Sequence, residues 1–313
     1  MIRPAEAVVL GIVDGLTEFL PVSSTGHLIL ASWWLGLRGE AVKVFEVTIQ
    51  AGALAAVAWL YRDRLISMAR GACGQSPEER QVLARLLISF LPAAIAGLLL
   101  HTRIQAQLFS VTPVIAALAV GGVFMIVVDR WKRRSRARAG HLAAGGVGGG
   151  RASTRSAFRG CFDSNRFRSA DARSGSAHAA TTRTSLDQMT VADAAIIGLA
   201  QCLSLWPGTS RAMTTIVAAL LLGFSATAAA EYSFLLALPT LGAATLFDAL
   251  RHRDLLAQDV GWLSMGLGFL SAAVIAVIAI RGFLRYVTRH GLAPFGWYRL
   301  GVAALMWGMM GRT

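Results

Sequence analysis

Charge is what this sequence has least of. Asp, Glu, Lys and Arg make up 15% of the 313 residues, against about 25% in a soluble domain. Carboxylates are the scarcer part, 17 against 30 Lys and Arg. Cysteine is scarce too: the three present, Cys73, Cys161 and Cys202, form no Cys-x-x-Cys pair. Neither a disulfide framework nor a zinc site is expected from them. No cleavable signal peptide is expected either. Asp14, Glu18 and Pro21 interrupt the N-terminal apolar run before a small-residue cleavage site could end it.

What is present is hydrophobic: 55% of residues, with a mean hydropathy of +0.56. Windows nearly free of charge run from Val44 to Tyr61, Leu86 to Leu100, Val111 to Val128, Ala226 to Phe247, Gly261 to Ile280 and Pro294 to Gly311. Most approach the roughly 20 residues a bilayer-spanning helix needs, so six spanning helices are expected in an all-α polytopic membrane protein. Two further apolar stretches, Ala5 to Leu35 and Val191 to Gly223, are broken by Pro21 and by Pro207-Gly208. Each reads as two half-helices meeting at a turn. Such breaks are tolerated at membrane depth where protein or a water-filled cavity satisfies the freed backbone groups. Both stretches are candidate re-entrant hairpins around an internal site.

The two hairpins repeat one another. Laid side by side with a single-residue gap, Asp14 pairs with Gln201, Pro21 with Pro207 and Ser24 with Ser210, and Glu46 falls at nearly the offset of Glu231. Each half is then a hairpin followed by three spans, residues 1–132 and 189–313. Arginines cluster in the loop from Tyr61 to Arg85, between Arg130 and Met189, and at Arg281, Arg285 and Arg289. The positive-inside rule puts all three clusters on the cytoplasmic face, which gives the halves inverted topology, with a site at their interface near the bilayer midplane. Residues 133–188, rich in Gly, Ser, Ala and Arg, read as a disordered basic cytoplasmic linker. The stretch from Arg130 to Met189 holds 13 Lys and Arg against 3 Asp. In a polytopic chain such charge faces anionic lipid, and nucleic acid is not expected as a partner.

The chemistry resides in the broken stretches. Asp14 and Glu18 are i,i+4, so their carboxylates share a helix face and repel unless a cation or proton lies between them. Mg²⁺ or Ca²⁺ suits such oxygen ligands; the alternative is a solvated pair at the hairpin mouth. After Pro21, Ser23 or Ser24 can cap a second half-helix whose free amides attract phosphate. Ser24 and His27 are i,i+3, which allows the imidazole to serve as general base to a nucleophilic serine. Alternatively the serines only cap and His27 packs at an interface. Arg211, after the second break, either meets an anion at the midplane with its bidentate fork or snorkels to the surface.

Asp14-Gly-Leu-Thr-Glu-Phe-Leu-Pro-Val-Ser-Ser-Thr-Gly-His27 and Pro207-Gly-Thr-Ser-Arg211 resemble the two signature motifs of the bacterial undecaprenyl-diphosphatase family, the bacitracin-resistance type. The resemblance extends to Phe45–Gln50, Leu186–Thr190 and Glu231–Pro239, and covers nearly all of the chain except the basic linker. It implies a bacterial inner-membrane enzyme that removes the terminal phosphate of undecaprenyl diphosphate at the outer face, with a divalent cation, to recycle the peptidoglycan lipid carrier. Carried onto this chain, it makes Ser24 the nucleophile, His27 a proton-transfer group, Glu18 with Asp14 the metal ligands, and Arg211 the stabiliser of phosphoryl charge. Ser23, Thr25, Gly208, Thr209 and Ser210 are then the expected substrate-binding residues. The chain departs from the family in opening its first motif with Asp14 rather than Glu or Gln. It also reads Ala212-Met-Thr-Thr215 where Ser-Gly-Ala-Thr is usual, and its linker is longer. A polyprenyl-phosphate carrier or flippase would use the same anion site, but needs no activated serine; a membrane scaffold leaves the buried charges unexplained. A homo-oligomer is compatible with either activity.

Overall fold

The computed structural model describes residues 2–108, 111–144 and 182–310. Its elements among those residues are α1 (Pro4–Thr17), α2 (Ser24–Trp34), α3 (Glu40–Leu60), α4 (Arg62–Ala72), α5 (Pro77–Leu108), α6 (Val111–Ala144), α7 (Val191–Cys202), α8 (Arg211–Leu221), α9 (Ala226–Arg251), α10 (Arg253–Leu255), α11 (Trp262–His290) and α12 (Ala293–Met310). Five of them, α3, α5, α6, α9 and α11, are long and apolar enough to cross a membrane. The chain is a multi-pass membrane protein. The sixth expected span forms as α12 but is not among these five; its 18 residues include Arg299 beside Trp297 and Tyr298.

Small residues set how these helices meet. In lipid, apolar side chains gain little by leaving one apolar medium for another, so close backbone approach carries the packing. Gly11 and Gly15 lie on one face of α1 and press against the backbone of α11: a Cβ at Gly11 would meet the Gly268 carbonyl and the Ser271 hydroxyl, one at Gly15 the Ala272 carbonyl. Gly198 of α7 does the same against α5, where a Cβ would come within 2.7 Å of the Ser89 carbonyl oxygen. Gly11 and Gly198 are repeat partners in the sequence alignment. The first helix of each half therefore packs on a long helix of the other half.

Both broken stretches turn where proline stops the first helix, and both restart on a serine. Ser23 and Ser210 have positive φ, 75° and 72°, and their hydroxyls accept from the Gly26 and Met213 amides. This corrects the repeat register by one residue. Ser23, not Ser24, is the counterpart of Ser210: Gly11–Gly198, Asp14–Gln201 and Ser23–Ser210 share one offset, so the caps align with no gap and it is Pro21 and Pro207 that fall one residue out of step, Gly208 at φ 93° standing opposite Pro21. At the ends away from the turns, Ile2 before α1 and Leu37 after α2 line one cleft. Similarly, Arg183 pairs with Asp193 in the first turn of α7, while its backbone bonds Gly223 and Ser225 beyond α8.

The boundaries of the basic segment also shift. α6 continues through Ala144, beyond residue 133, because Lys132 to Ala139 holds good helix formers and Arg133 bonds Asp129 one turn back. Towards its other end, Leu186 and Met189 are buried in the core and Arg64 binds Asp187. The rest of the linker, residues 145–181 with Cys161, lies outside the described residues. Cys73 and Cys202 are unpaired thiols.

Candidate active site

Glu18 follows the last turn of α1 and is buried. One carboxylate oxygen accepts from the Ser24 hydroxyl at 2.6 Å, the other from Arg211 Nη2 at 3.3 Å. Ser24 opens α2 and Arg211 opens α8, so one carboxylate joins the two helix N-termini, ends that carry partial positive charge. Arg211 is held from behind: Nη1 donates to the Ser233 carbonyl at 2.8 Å, and the guanidinium lies over the Phe19 ring at 5.6 Å. Ser233 in turn shares a hydrogen bond with Thr215 at 2.7 Å. A charged pair removed from water needs such additional partners to be tolerated.

The expected Ser24–His27 pairing is not the one the side chains make. His27 Nδ1 lies 2.7 Å from the Ser23 carbonyl oxygen, and Nε2 lies 2.8 Å from the Tyr298 hydroxyl. A carbonyl accepts, so Nδ1 carries the hydrogen, and in the neutral ring Nε2 accepts from Tyr298. The two rings stack with centroids 5.5 Å apart. The physical reason is local: a side chain in the first helical turn leans back towards the preceding residues, which brings the imidazole to the Ser23 carbonyl. Glu18, not His27, contacts the Ser24 hydroxyl.

Of the other expected residues, Ser23 and Ser210 cap their helices, and Thr25 stands half-buried beside Ser24. Gly208 and Thr209 direct their carbonyl oxygens to a residue the sequence reading missed. Arg299 of α12 is fully buried, and its guanidinium donates to Gly208 (2.9 Å), Thr209 (3.0 Å), Pro21 (3.4 Å), Ala117 (2.9 Å) and Leu118 (3.3 Å). One side chain thus ties both turns to α6. Its signal in the sequence was a lone arginine in an otherwise apolar run from Pro294 to Gly311. Tyr298 was missed as well.

Two groups in this centre are buried without a hydrogen-bond partner among the described residues: both oxygens of Asp14, and Nε of Arg211. Buried polar groups are otherwise nearly always paired. A cation suits Asp14, one helical turn from Glu18, and Mg²⁺ in particular is held by one or two carboxylates plus phosphate oxygens. No group of three or more His, Cys, Asp or Glu placed to hold a metal occurs among the described residues, so the pair would need phosphate oxygens and water to complete a cation's shell. An anionic oxygen suits the Arg211 N–H. Glu46, the remaining flagged carboxylate of the first half, sits on α3 and accepts from Ser32 at 2.5 Å.

The model of the family described as bacitracin resistance protein BacA matches residues 7–155 and 161–305. A protein of Sorangium cellulosum named undecaprenyl-diphosphatase is 43% identical over 96% of this chain and 84% of its own length. Its namesake in Nitrosomonas europaea is 39% identical over 96% of this chain and 92% of its own. A Rhodospirillum rubrum protein, undecaprenyl-diphosphatase 2, is 39% identical over 94% and 90%.

Proposed function

The chain belongs to the BacA family of bacitracin resistance proteins, and on that premise we propose that it is an undecaprenyl-diphosphatase, releasing phosphate from undecaprenyl diphosphate to leave undecaprenyl phosphate. The observation that carries this reading is that one buried carboxylate, Glu18, is bonded at once to a serine hydroxyl and a guanidinium. A nucleophile, an adjacent base and an anion clamp are the parts a phosphoryl transfer needs.

In the proposed reaction Arg211 receives the terminal phosphate. Ser24 Oγ attacks its phosphorus, Glu18 takes the serine proton, the bond to the bridging oxygen breaks and undecaprenyl phosphate leaves. Water then attacks the phosphoserine, giving phosphate and restoring the Ser24 hydroxyl. The amides of α2 and α8 add fixed positive potential, which costs no reorganisation during reaction. A divalent cation, Mg²⁺ or Ca²⁺, held by Asp14 and Glu18 supplies neutralisation of the diphosphate oxygens when bound. His27, engaged with Ser23 and Tyr298, positions the Ser23–Ser24 turn. Thr25, Gly208, Thr209 and Ser210 shape the phosphate pocket.

The same reading includes an inverted-repeat architecture of two re-entrant hairpins and a basic linker. It is supported by the matched serine caps, the exchanged Gly11 and Gly198 contacts, and the return of each hairpin to the side of the bundle from which it starts. Arginine-rich ends on the cytoplasmic side then open the first hairpin, and the active site, to the periplasm. The polyprenyl tail lies in the bilayer along the helices. A transport reading is not favoured, since a carrier has no use for a serine bonded to a base.

The test is phosphate release from undecaprenyl diphosphate by the purified protein in detergent, with and without chelator, beside Ser24→Ala. Cation-dependent release abolished by the substitution upholds the reading. No release from folded protein across several divalent metals overturns it.

A further inference from the structure

α2 and α8 each run for 11 residues and each open on a residue that donates to Glu18, yet they are held differently. α8 buries ten of its side chains. α2 buries three, Gly26, Leu28 and Ser32, and ends on the exposed Trp33 and Trp34. Lipid gives an exposed apolar helix no push towards the bundle, so polar side chains must do more to fix α2. Beyond Ser24, two of them reach other helices. His27 meets the Tyr298 hydroxyl of α12 at 2.8 Å, and the buried Ser32 donates to Glu46 of α3 at 2.5 Å. The chain leaving α2 closes on the same residue, the Leu37 amide bonding the Ser32 carbonyl at 2.8 Å. The reaction described above uses neither Ser32 nor Glu46.

Helix geometry gives these two bonds a definite effect. Seen down an axis of 3.6 residues per turn, His27 lies about 60° to one side of Ser24 and Ser32 about 80° to the other. The direction of the serine hydroxyl therefore falls between the bond to α12 and the bond to α3. α2 cannot turn about its axis without straining both; with either removed it can pivot on the other. A turn of about 20° carries the hydroxyl, which lies outside the ~2.3 Å radius of the Cα atoms, by about 1 Å. Such a displacement costs about 10²-fold in rate when it misplaces a reacting group.

We propose that Glu46 is a positioning residue for the phosphoryl transfer, keeping Ser24 aligned with Glu18 by gripping Ser32 two turns along α2. This rests on the phosphatase reading above. What the arrangement requires of Glu46 is an acceptor at that place, not a charge.

The full chain in detergent is assayed for phosphate release from undecaprenyl diphosphate as wild type, Ser32→Ala, Glu46→Leu, Glu46→Gln and Ser32→Ala/Glu46→Leu, with a thermal unfolding midpoint and a Mg²⁺ titration for each. Ser32→Ala and Glu46→Leu should lower kcat and kcat/KM together, by about 10–10²-fold in folded protein, with the Mg²⁺ midpoint unmoved. The double variant should lose no more than either single one, because both remove the same bond. Glu46→Gln, whose amide oxygen still accepts from Ser32, should recover most of kcat, which a purely electrostatic role would not allow. Should a single variant misfold, the double variant leaves neither partner unpaired and carries the test. Wild-type kcat in folded Ser32→Ala or in the folded double variant overturns the proposal. So does a Glu46→Gln as impaired as Glu46→Leu, or a shifted Mg²⁺ midpoint, either of which makes Glu46 act by its charge. A wild-type chain that releases no phosphate overturns the phosphatase reading and this inference with it, whereas an active wild type beside an equally active Ser32→Ala overturns the positioning alone.

Discussion

Ser24 and Arg211 hold the same place in their helices: each is the first residue after a serine cap of positive φ, and each donates to Glu18. Different chemistry stands at these two matching positions, a hydroxyl in one and a guanidinium in the other. A single carboxylate keeps them in register.

Glu18→Gln keeps the shape of the side chain but removes the base. Phosphate release should fall by about 10²–10⁴-fold, the usual worth of a general base. A variant within threefold of wild type would remove Glu18 from the reaction.

Asp14→Asn tests the cation. If the unpartnered carboxylate holds metal, the Mg²⁺ concentration for half-maximal activity should rise by tenfold or more, at least what loss of an outer-shell partner costs. Saturating Mg²⁺ should recover much of kcat. An unchanged metal titration would assign the buried carboxylate another role.

Tyr298→Phe and His27→Ala separate positioning from proton transfer. Removing the phenol deletes one hydrogen bond, worth about 0.5–1.5 kcal/mol, so kcat/KM should drop by roughly 2–12-fold. His27→Ala should cost more than that but less than Ser24→Ala or Glu18→Gln. A loss equal to that of Ser24→Ala would return the imidazole to the role of base.

Arg299→Met strands carbonyl groups of both turns and of α6. Breaking a buried hydrogen-bonded charge network costs about 3–5 kcal/mol, read as a lower thermal unfolding midpoint in detergent together with lost activity. Arg299→Lys should recover little, because three rotatable donors cannot reproduce a planar fork of five.

Gly11→Leu and Gly198→Leu should destabilise by at least the 1–3 kcal/mol of ordinary overpacking, because a carbonyl stands where the side chain must go. Gly301→Ala, with nothing within 4 Å of its Cβ position, should stay within about 0.5 kcal/mol of wild type. Equal midpoints for all three would break the packing account.

Much of this was legible in the chain itself, and the failures have physical causes. Charge-free windows located α3, α5, α6, α9 and α11, since a bilayer imposes its length on sequence. Pro21 and Pro207 marked the turns, but not as prolines alone, since Pro92 and Pro239 sit inside α5 and α9 without ending them; the polar residues that follow Pro21 and Pro207 completed the signal. The register slipped by one at Ser23 because matching Pro21 to Pro207 introduced a gap that the two helix caps do not have. His27 was assigned to Ser24 from spacing alone, whereas the lean of first-turn side chains decides the contact. Arg299 and Tyr298 were passed over for another reason: a lone arginine in an apolar run marks a buried charge, but nothing local tells that α12 meets both turns.

Arg299 and Pro21 are 278 residues apart and bonded. In time as well as space, that separation matters. The ribosome delivers both serine-capped turns to the membrane before α12 exists, so during synthesis their inward carbonyls, acceptors only, have water alone to satisfy them. The chemistry of the centre is switched on last, when the guanidinium arrives, and a nascent chain arrested before α12 should be an inserted but inactive protein.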